Sequence, residues 1–360
     1  MLVWGCGGTG RHAWLRTKCR KAWGFDSLHP YQIKNMVKLY NYLIICFFLG
    51  SWLLLQALSA EEVTISTSIN LDEYQNQQPS FCRPKSNKEN LEWYESFETN
   101  NLSKNDWNYS KGNSFVHKGN IIGGWGNNEL QFYRTGKGSQ NINSNLFIED
   151  GLLKIQPIHH AAKYRGHSFT SARINTKSKV SFSYPSRITF CYKVPKGIGF
   201  WPAFWLMPDK EIDWPRGGEI DIMENRGRIT NVSSSALHFG FKWNNKATLV
   251  GEAIIPSEVN FQDAFHSITL EWQEDSLSFY MDGDSSPYFV VNSDMDIFKK
   301  FGYPFNSSFY LIINVAVGGI YDNYLVDEEA FCKNSSCSNK IDPDGSRFLI
   351  DWIEYESLEN

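Results

Sequence analysis

From Leu91 to the C-terminus the chain repeats one kind of segment, a short run rich in β-branched and aromatic residues closed off by Gly, Asn, Pro or Ser. LLKIQPI (152–158), RITFCYKV (187–194), GEIDIM (218–223), SSALHFG (234–240), SITLEW (267–272), LSFYMDG (277–283), FYLIINVAV (309–317) and FLIDWIEYE (348–356) are the clearest cases. Such runs are strand signals. No segment keeps a 3.6-residue apolar period for three or more turns. Strands without intervening helices exclude a parallel βαβ fold and leave an all-β sandwich or barrel. Met281–Gly283, between LSFY and PYFVV, reads as a hairpin connection. Neither an internal repeat nor a linker divides residues 91–360, so they are expected to form one domain. Residues 61–90, rich in Asn, Gln and Ser, read as a short polar N-terminal segment.

The first sixty residues follow different rules. Seven basic groups (Arg11, Arg16, Lys18, Arg20, Lys21, Lys34, Lys38) stand against Asp26 alone, and Leu39–Ala60 carries no charge. A basic flank, an apolar stretch and the small residues of Ala57–Ala60 describe a secretory signal starting at Met36 and cleaved after Ser59 or Ala60. On this reading residues 1–35 are an upstream extension and 36–60 the signal peptide. The competing reading is an uncleaved signal anchor, the one way this chain would associate with a membrane.

Removing residues 1–60 takes away a net +6 and turns the formal charge of −4 into −10. An acidic chain with no basic face excludes nucleic acid as the main partner. The remaining cysteines, Cys82, Cys191, Cys332 and Cys337, suit two disulfides in an oxidising compartment, with three pairings open. Cys332 and Cys337 close a short loop and form the natural local pair, which leaves Cys82 with Cys191. Five Asn-x-Ser sequons, at Asn101, Asn108, Asn231, Asn306 and Asn334, agree with a secreted, extracellular protein.

Gly217–Gly227 (GGEIDIMENRG) is the most informative segment. Glu219, Ile220, Asp221 and Ile222 alternate, so both acids face one way and both isoleucines the other. Glu224 lies five positions after Glu219, and strict alternation would send it to the opposite face. A β-bulge at Ile222–Met223 would return it to the acids' side. Three carboxylates on one strand face repel one another. A solvated outer face would interleave Lys or Arg, whereas here the intervening residues are apolar and tryptophans flank the strand. A calcium site would draw its ligands from bent loops. Paired carboxyls, one ionised and one protonated, are the machinery of glycoside hydrolysis. A third acid between them can share a proton and keep the acid's pKa raised.

These residues resemble the signature of glycoside hydrolase family 16 in its bulged, laminarinase-type form, E-x-D-x-x-E. GGWGNNELQFY (123–133), SFTSARINTK (168–177), GIGFWPAFWLMP (197–208), ALHFG (236–240), FHSITLEW (265–272) and FYLIINVAVGG (309–319) are similar to further blocks of that family, in its order, across roughly 91–355. The resemblance implies a β-jelly-roll sandwich of two antiparallel sheets with a concave sugar cleft. It also implies retaining endo-cleavage of β-1,3-glucan, with mixed β-1,3/1,4-glucan as a further substrate. Glu219 would be the nucleophile, Asp221 its helper, Glu224 the general acid/base and His238 a hydrogen-bond partner of the acids.

By the same resemblance Trp201 and Trp205, four apart on one strand face, would stack on sugar rings, where core packing is the ordinary role of a single Trp. Trp214 would stand at the cleft rim, Trp125 and Asn127 in the glycine-rich loop, and Arg173 would donate to sugar hydroxyls or steady a carboxylate. Trp93, Trp107, Trp243, Trp272 and Trp352 are read as core or left unassigned. His159 and His160 have no partner motif, so zinc has no support.

The same resemblance supplies the alternative, a glucan recognition protein of innate immunity that binds without cutting. In such relatives the catalytic acids are replaced, whereas all three are present here. IYDNYLVDEEAFCKNSSC, after Gly318–Gly319, departs from the family's Trp-Pro-Gly turn and alters a loop beside the cleft. No cofactor is required. A structural calcium ion on the convex side is a family-level expectation that no motif carries, and the chain is expected to be monomeric.

Overall fold

The computed structural model describes residues 61–69, 80–82, 90–135, 144–283, 285–333 and 337–358. The extension, the signal segment and Asn334 lie outside the described residues.

Two eight-stranded sheets dominate. The first runs, in spatial order, Glu61–Ser68, Asn245–Ile254, Val232–Lys242, Glu219–Glu224, Phe200–Pro208, Phe309–Val317, Arg173–Asn175 and Asn108–Tyr109. The second runs Phe289–Asn292, Ser276–Met281, His266–Trp272, Ser186–Lys193, Phe348–Ser357, Leu152–Ile155 and Leu146–Glu149, with Leu91–Glu95 also pairing Phe348–Ser357. Within these two sheets every described pairing is antiparallel except that of Glu61–Ser68 with Asn245–Ile254. This is the β-jelly-roll sandwich that the strand pattern and the resemblance led one to expect.

Alternation along the strands builds the core. In Phe200–Pro208, Phe200, Phe204 and Leu206 are fully buried, while Trp201 and Trp205 stay half-exposed on the opposite face. Phe204 meets Phe190 of the second sheet with ring centroids 4.2 Å apart and planes 20° apart. Removing such a ring costs about 3–5 kcal/mol.

The segment 61–90, read as a polar tail, is instead tied to both sheets where it is described. Glu61–Ser68 adds an edge strand to the first sheet, and Ser80 bridges Phe265 beside the Cys82–Cys191 disulfide. EEVTISTS carries an alternating β-branched pattern that polar neighbours disguise. Cys332 and Cys337 form the second disulfide. Asn101 and Asn306 are exposed, whereas Asn108 and Asn231 are half-buried. The amide of Asn108 donates to Asn175 Oδ1 and to the Lys177 carbonyl, and that of Asn231 to the Ile255 carbonyl.

Candidate active site

The acidic strand carries the bulge that its sequence demands. Asp221 faces Ala236 and Glu224 faces Ser234, so Ile222 and Met223 together oppose Ser235. The Ser235 hydroxyl donates to the Ile222 carbonyl at 2.5 Å. Ile220, Ile222 and Met223 enter the core, and Glu219, Asp221 and Glu224 line one cleft on the outer face of the first sheet.

That cleft is partly open to solvent. Besides the three acids, its walls include Trp125, Asn127, Arg173, Trp201 and Trp205, all singled out from sequence. Trp214 and His238 complete the set from the side. The Trp214 indole N–H donates to Glu219 Oε2, and the ring centroids of Trp214 and His238 lie 6.2 Å apart. His238 stands opposite Glu219 on the neighbouring strand. Its Nε2 lies 3.2 Å from Asp221 Oδ2, and its Nδ1 lies 2.9 Å from the Thr248 hydroxyl.

The tryptophans do more than present flat faces. Trp201 Nε1 donates to Glu224 Oε1 at 2.8 Å, and its ring is stacked on Tyr321. Trp205 Nε1 donates to Asn314 Oδ1 at 2.7 Å. The Arg173 guanidinium lies 4.6 Å from the Trp205 ring centroid and 4.3 Å from that of Trp125. Part of each expected platform is therefore already occupied by a side chain. Arg173 Nε is buried and has no hydrogen-bond partner among the described residues.

Glu129, Asn314, Tyr321, Trp243 and Lys246 belong to the site and were not identified from sequence. Glu129, nearly buried, accepts from Gln131 Nε2 at 2.6 Å, the Tyr133 hydroxyl at 3.2 Å and Asn127 Nδ2 at 3.2 Å. Burial pushes its carboxyl up, and the Arg173 charge draws it back. Trp243, 60% exposed, leans on Trp214 with centroids 5.0 Å apart. Lys246 Nζ lies 4.6 Å from the Trp214 ring centroid. The other unassigned tryptophans are core: Trp107, Trp272 and Trp352 are buried, and Trp93 packs against the core.

Electrostatics follow from three acids in a half-closed cleft. Burial, then the charge of Asp221, pushes Glu219 up to about 7. Burial also raises Asp221, against a hydrogen bond with Glu219 that lowers it. Glu224 is raised by burial and then by Asp221. His238 is pushed down by burial, so the ring is neutral near pH 7. Lys246 interacts with the charges of Glu219 and Asp221, which favours a negative charge at that end of the trio. Such a set holds a proton at one carboxyl while another is ionised.

Among the described residues, Glu219, Asp221 and His238 are the one cluster whose potential ligand atoms all lie within 4.8 Å of one another. Calcium takes six to eight oxygens, whereas this trio offers one nitrogen and two carboxyls already hydrogen-bonded to each other. It fits proton chemistry and does not fit calcium.

The sequence matches the family described as "Glycosyl hydrolases family 16" over residues 126–352. It is similar to "Glucan endo-1,3-beta-glucosidase A1" of Niallia circulans, 33% identical over 245 residues, covering 65% of this chain and 34% of that protein. It therefore spans about a third of that relative's length. It is also similar to "Glucan endo-1,3-beta-glucosidase" of Cryptopygus antarcticus, 34% identical over 239 residues, covering 64% of this chain and 80% of that protein. Among solved structures, the laminarinase catalytic domain from Thermotoga maritima MSB8 superposes with a TM-score of 0.61 at 31% identity, covering 75% of this chain and 98% of that one.

Proposed function

The chain belongs to glycosyl hydrolase family 16, and from that membership we propose that it is a secreted, retaining endo-hydrolase of β-1,3-glucan. The observation that carries this reading is the convergence of Glu219, Asp221 and Glu224 in one cleft through a bulge whose only evident use is to bring Glu224 round. Mixed β-1,3/1,4-glucan is a second substrate of the same site.

Glu219 is the nucleophile. The indole N–H of Trp214 and the nearby Lys246 ammonium both favour its anion. Its carboxylate oxygen bonds to the anomeric carbon as the glycosidic C–O bond breaks, and Glu224 delivers its proton to the departing oxygen. In the second half Glu224 takes a proton from water, the water oxygen bonds to the anomeric carbon, and Glu219 leaves. Two inversions give net retention. Asp221 holds a hydrogen atom between itself and Glu219 until attack begins, and His238, neutral and fixed by Thr248, keeps Asp221 in place. The Arg173 guanidinium, which lines the cleft, donates to a sugar hydroxyl.

Reducing-sugar release from laminarin, with a pull-down on insoluble β-1,3-glucan, tests the reading. Release of sugar is expected. Binding without release would make the chain a recognition protein instead. Secretion is tested by N-terminal sequencing of the protein from culture medium, where a start at Ala60 or Glu61 is expected.

A further inference from the structure

Trp201 donates to Glu224, yet an indole on an open strand face can turn about its side-chain bonds, and the direction of that N–H depends on what holds the ring. The loop that departs from the family pattern does the holding. Tyr321 lies on Trp201 with ring centroids 4.7 Å apart and planes 19° apart. The Arg226 guanidinium sits 4.0 Å from the Tyr321 centroid. Arg226 and Trp201 cannot occupy the same face, so the phenol is sandwiched between cation and indole. Arg226 Nε also donates to the Tyr321 carbonyl at 2.9 Å.

The next residue anchors the turn. Asp322, 1% exposed, accepts from Arg228 Nε at 2.8 Å and lies 2.8 Å from its Nη2. Gly319 starts the turn at φ 82°, and a Cβ there would come within 2.8 Å of the Asn127 carbonyl and 3.3 Å of the Trp201 ring. Arg226 and Arg228 lie two and four residues beyond Glu224. The chain leaving the acid thus returns through Tyr321 and Trp201 to the acid itself.

We propose that Tyr321 is a positioning residue for Glu224, holding Trp201 at the angle from which its N–H engages Oε1 and leaves Oε2 to carry the proton. The inference rests on the reading of Glu224 as general acid/base. Tyr321 does not touch the reacting atoms. Its hydroxyl is 3.5 Å from Ser234 Oγ, too long to matter much, so the ring carries the effect.

Dependence on the leaving group tests this, because a dinitrophenolate departs without a proton whereas a sugar alcohol does not. For Tyr321→Leu, which keeps apolar bulk, kcat/KM on β-1,3-glucan is expected to fall at least about tenfold. On a dinitrophenyl β-1,3-oligoglucoside it is expected to change by no more than about twofold, since acid assistance is not needed there. Tyr321→Phe, which keeps the ring, should lose far less than Tyr321→Leu on β-1,3-glucan. Trp201→Phe, which retains a ring but lacks the N–H, should show the same split, and combining it with Tyr321→Leu should add little.

Equal loss on both substrates, or no loss on either, would overturn the proposal. If Tyr321→Leu does not fold, Trp201→Phe decides alone, and parental activity on both substrates counts against it. Glu224→Gln separates the two levels. If it shows no split, the acid assignment fails. If it does and Tyr321→Leu does not, only the present inference fails.

Discussion

Ser235 donates its hydroxyl to the carbonyl of Ile222 at 2.5 Å, at the point where two residues of the acidic strand face one residue of its neighbour. The bond gives the bulge a buried partner. The same hydroxyl lies 2.6 Å from the buried Tyr288 hydroxyl, so its loss would take a partner from two buried polar groups.

Ser235→Ala should therefore cost about 1–3 kcal/mol of stability. Glucan hydrolysis at a temperature where the variant is still fully folded should fall as well, because Glu224 follows the bulge. Denaturant midpoints alongside activity check this. Full activity with lowered stability would separate the bulge from the site.

Stability should respond to pH with a definite sign. Glu219, Asp221 and Glu224 are all raised in the fold, so the native chain binds more protons than the unfolded one from about pH 4 to pH 8. Their contribution is present below the unfolded carboxyl range and is lost as pH rises through the folded values. Asp221→Asn removes one of these groups, and at pH 8 it should be more stable than the parent by on the order of 1–2 kcal/mol, with no gain at pH 4. Urea melts at the two pH values measure the difference, and an equal effect at both would rule the explanation out.

Trp214 bears on activity rather than stability. Its N–H bond favours ionised Glu219, so Trp214→Phe should raise the Glu219 pKa. The acid limb of kcat/KM should move upward by about one pH unit, the equivalent of one hydrogen bond to a charged group. A limb that stays or moves down would show that Trp214 does not set that ionisation.

Arg173, between the rings of Trp125 and Trp205, is not replaceable by lysine, which lacks the planar fork that stacks and donates together. Arg173→Lys should raise KM for β-1,3-glucan about tenfold with kcat little changed, a loss of roughly 1.4 kcal/mol from one charged hydrogen bond. Steady-state kinetics on laminarin reads it. A fall confined to kcat would place Arg173 in the chemistry instead.

Much of this site is legible in the sequence because local rules suffice for it. The acids of Glu219–Glu224 conflict with strict alternation, and the conflict itself reveals the bulge. Trp201 and Trp205 share a face by spacing alone. What escapes notice is what depends on neighbours. Lys246 and Trp243 reach Trp214 only because the strands Val232–Lys242 and Asn245–Ile254 pair as they do. Tyr321 sits in a segment noticed for departing from a pattern, but its contact with Trp201 follows from a turn anchored by Arg226 and Arg228, far away in sequence. Glu129 is an acid within a quoted motif, and only the fold shows it buried against the cleft. The strand Glu61–Ser68 was obscured by the polar residues around it.

Glu219 as nucleophile is the step on which the proposed chemistry depends. A 2-deoxy-2-fluoro β-1,3-oligoglucoside with a dinitrophenyl leaving group should trap the glycosyl–enzyme, and mass mapping of the digested protein should find the sugar on Glu219. A label on another residue would contradict the assignment. So would turnover without any trapped species together with an inverted first product by proton NMR.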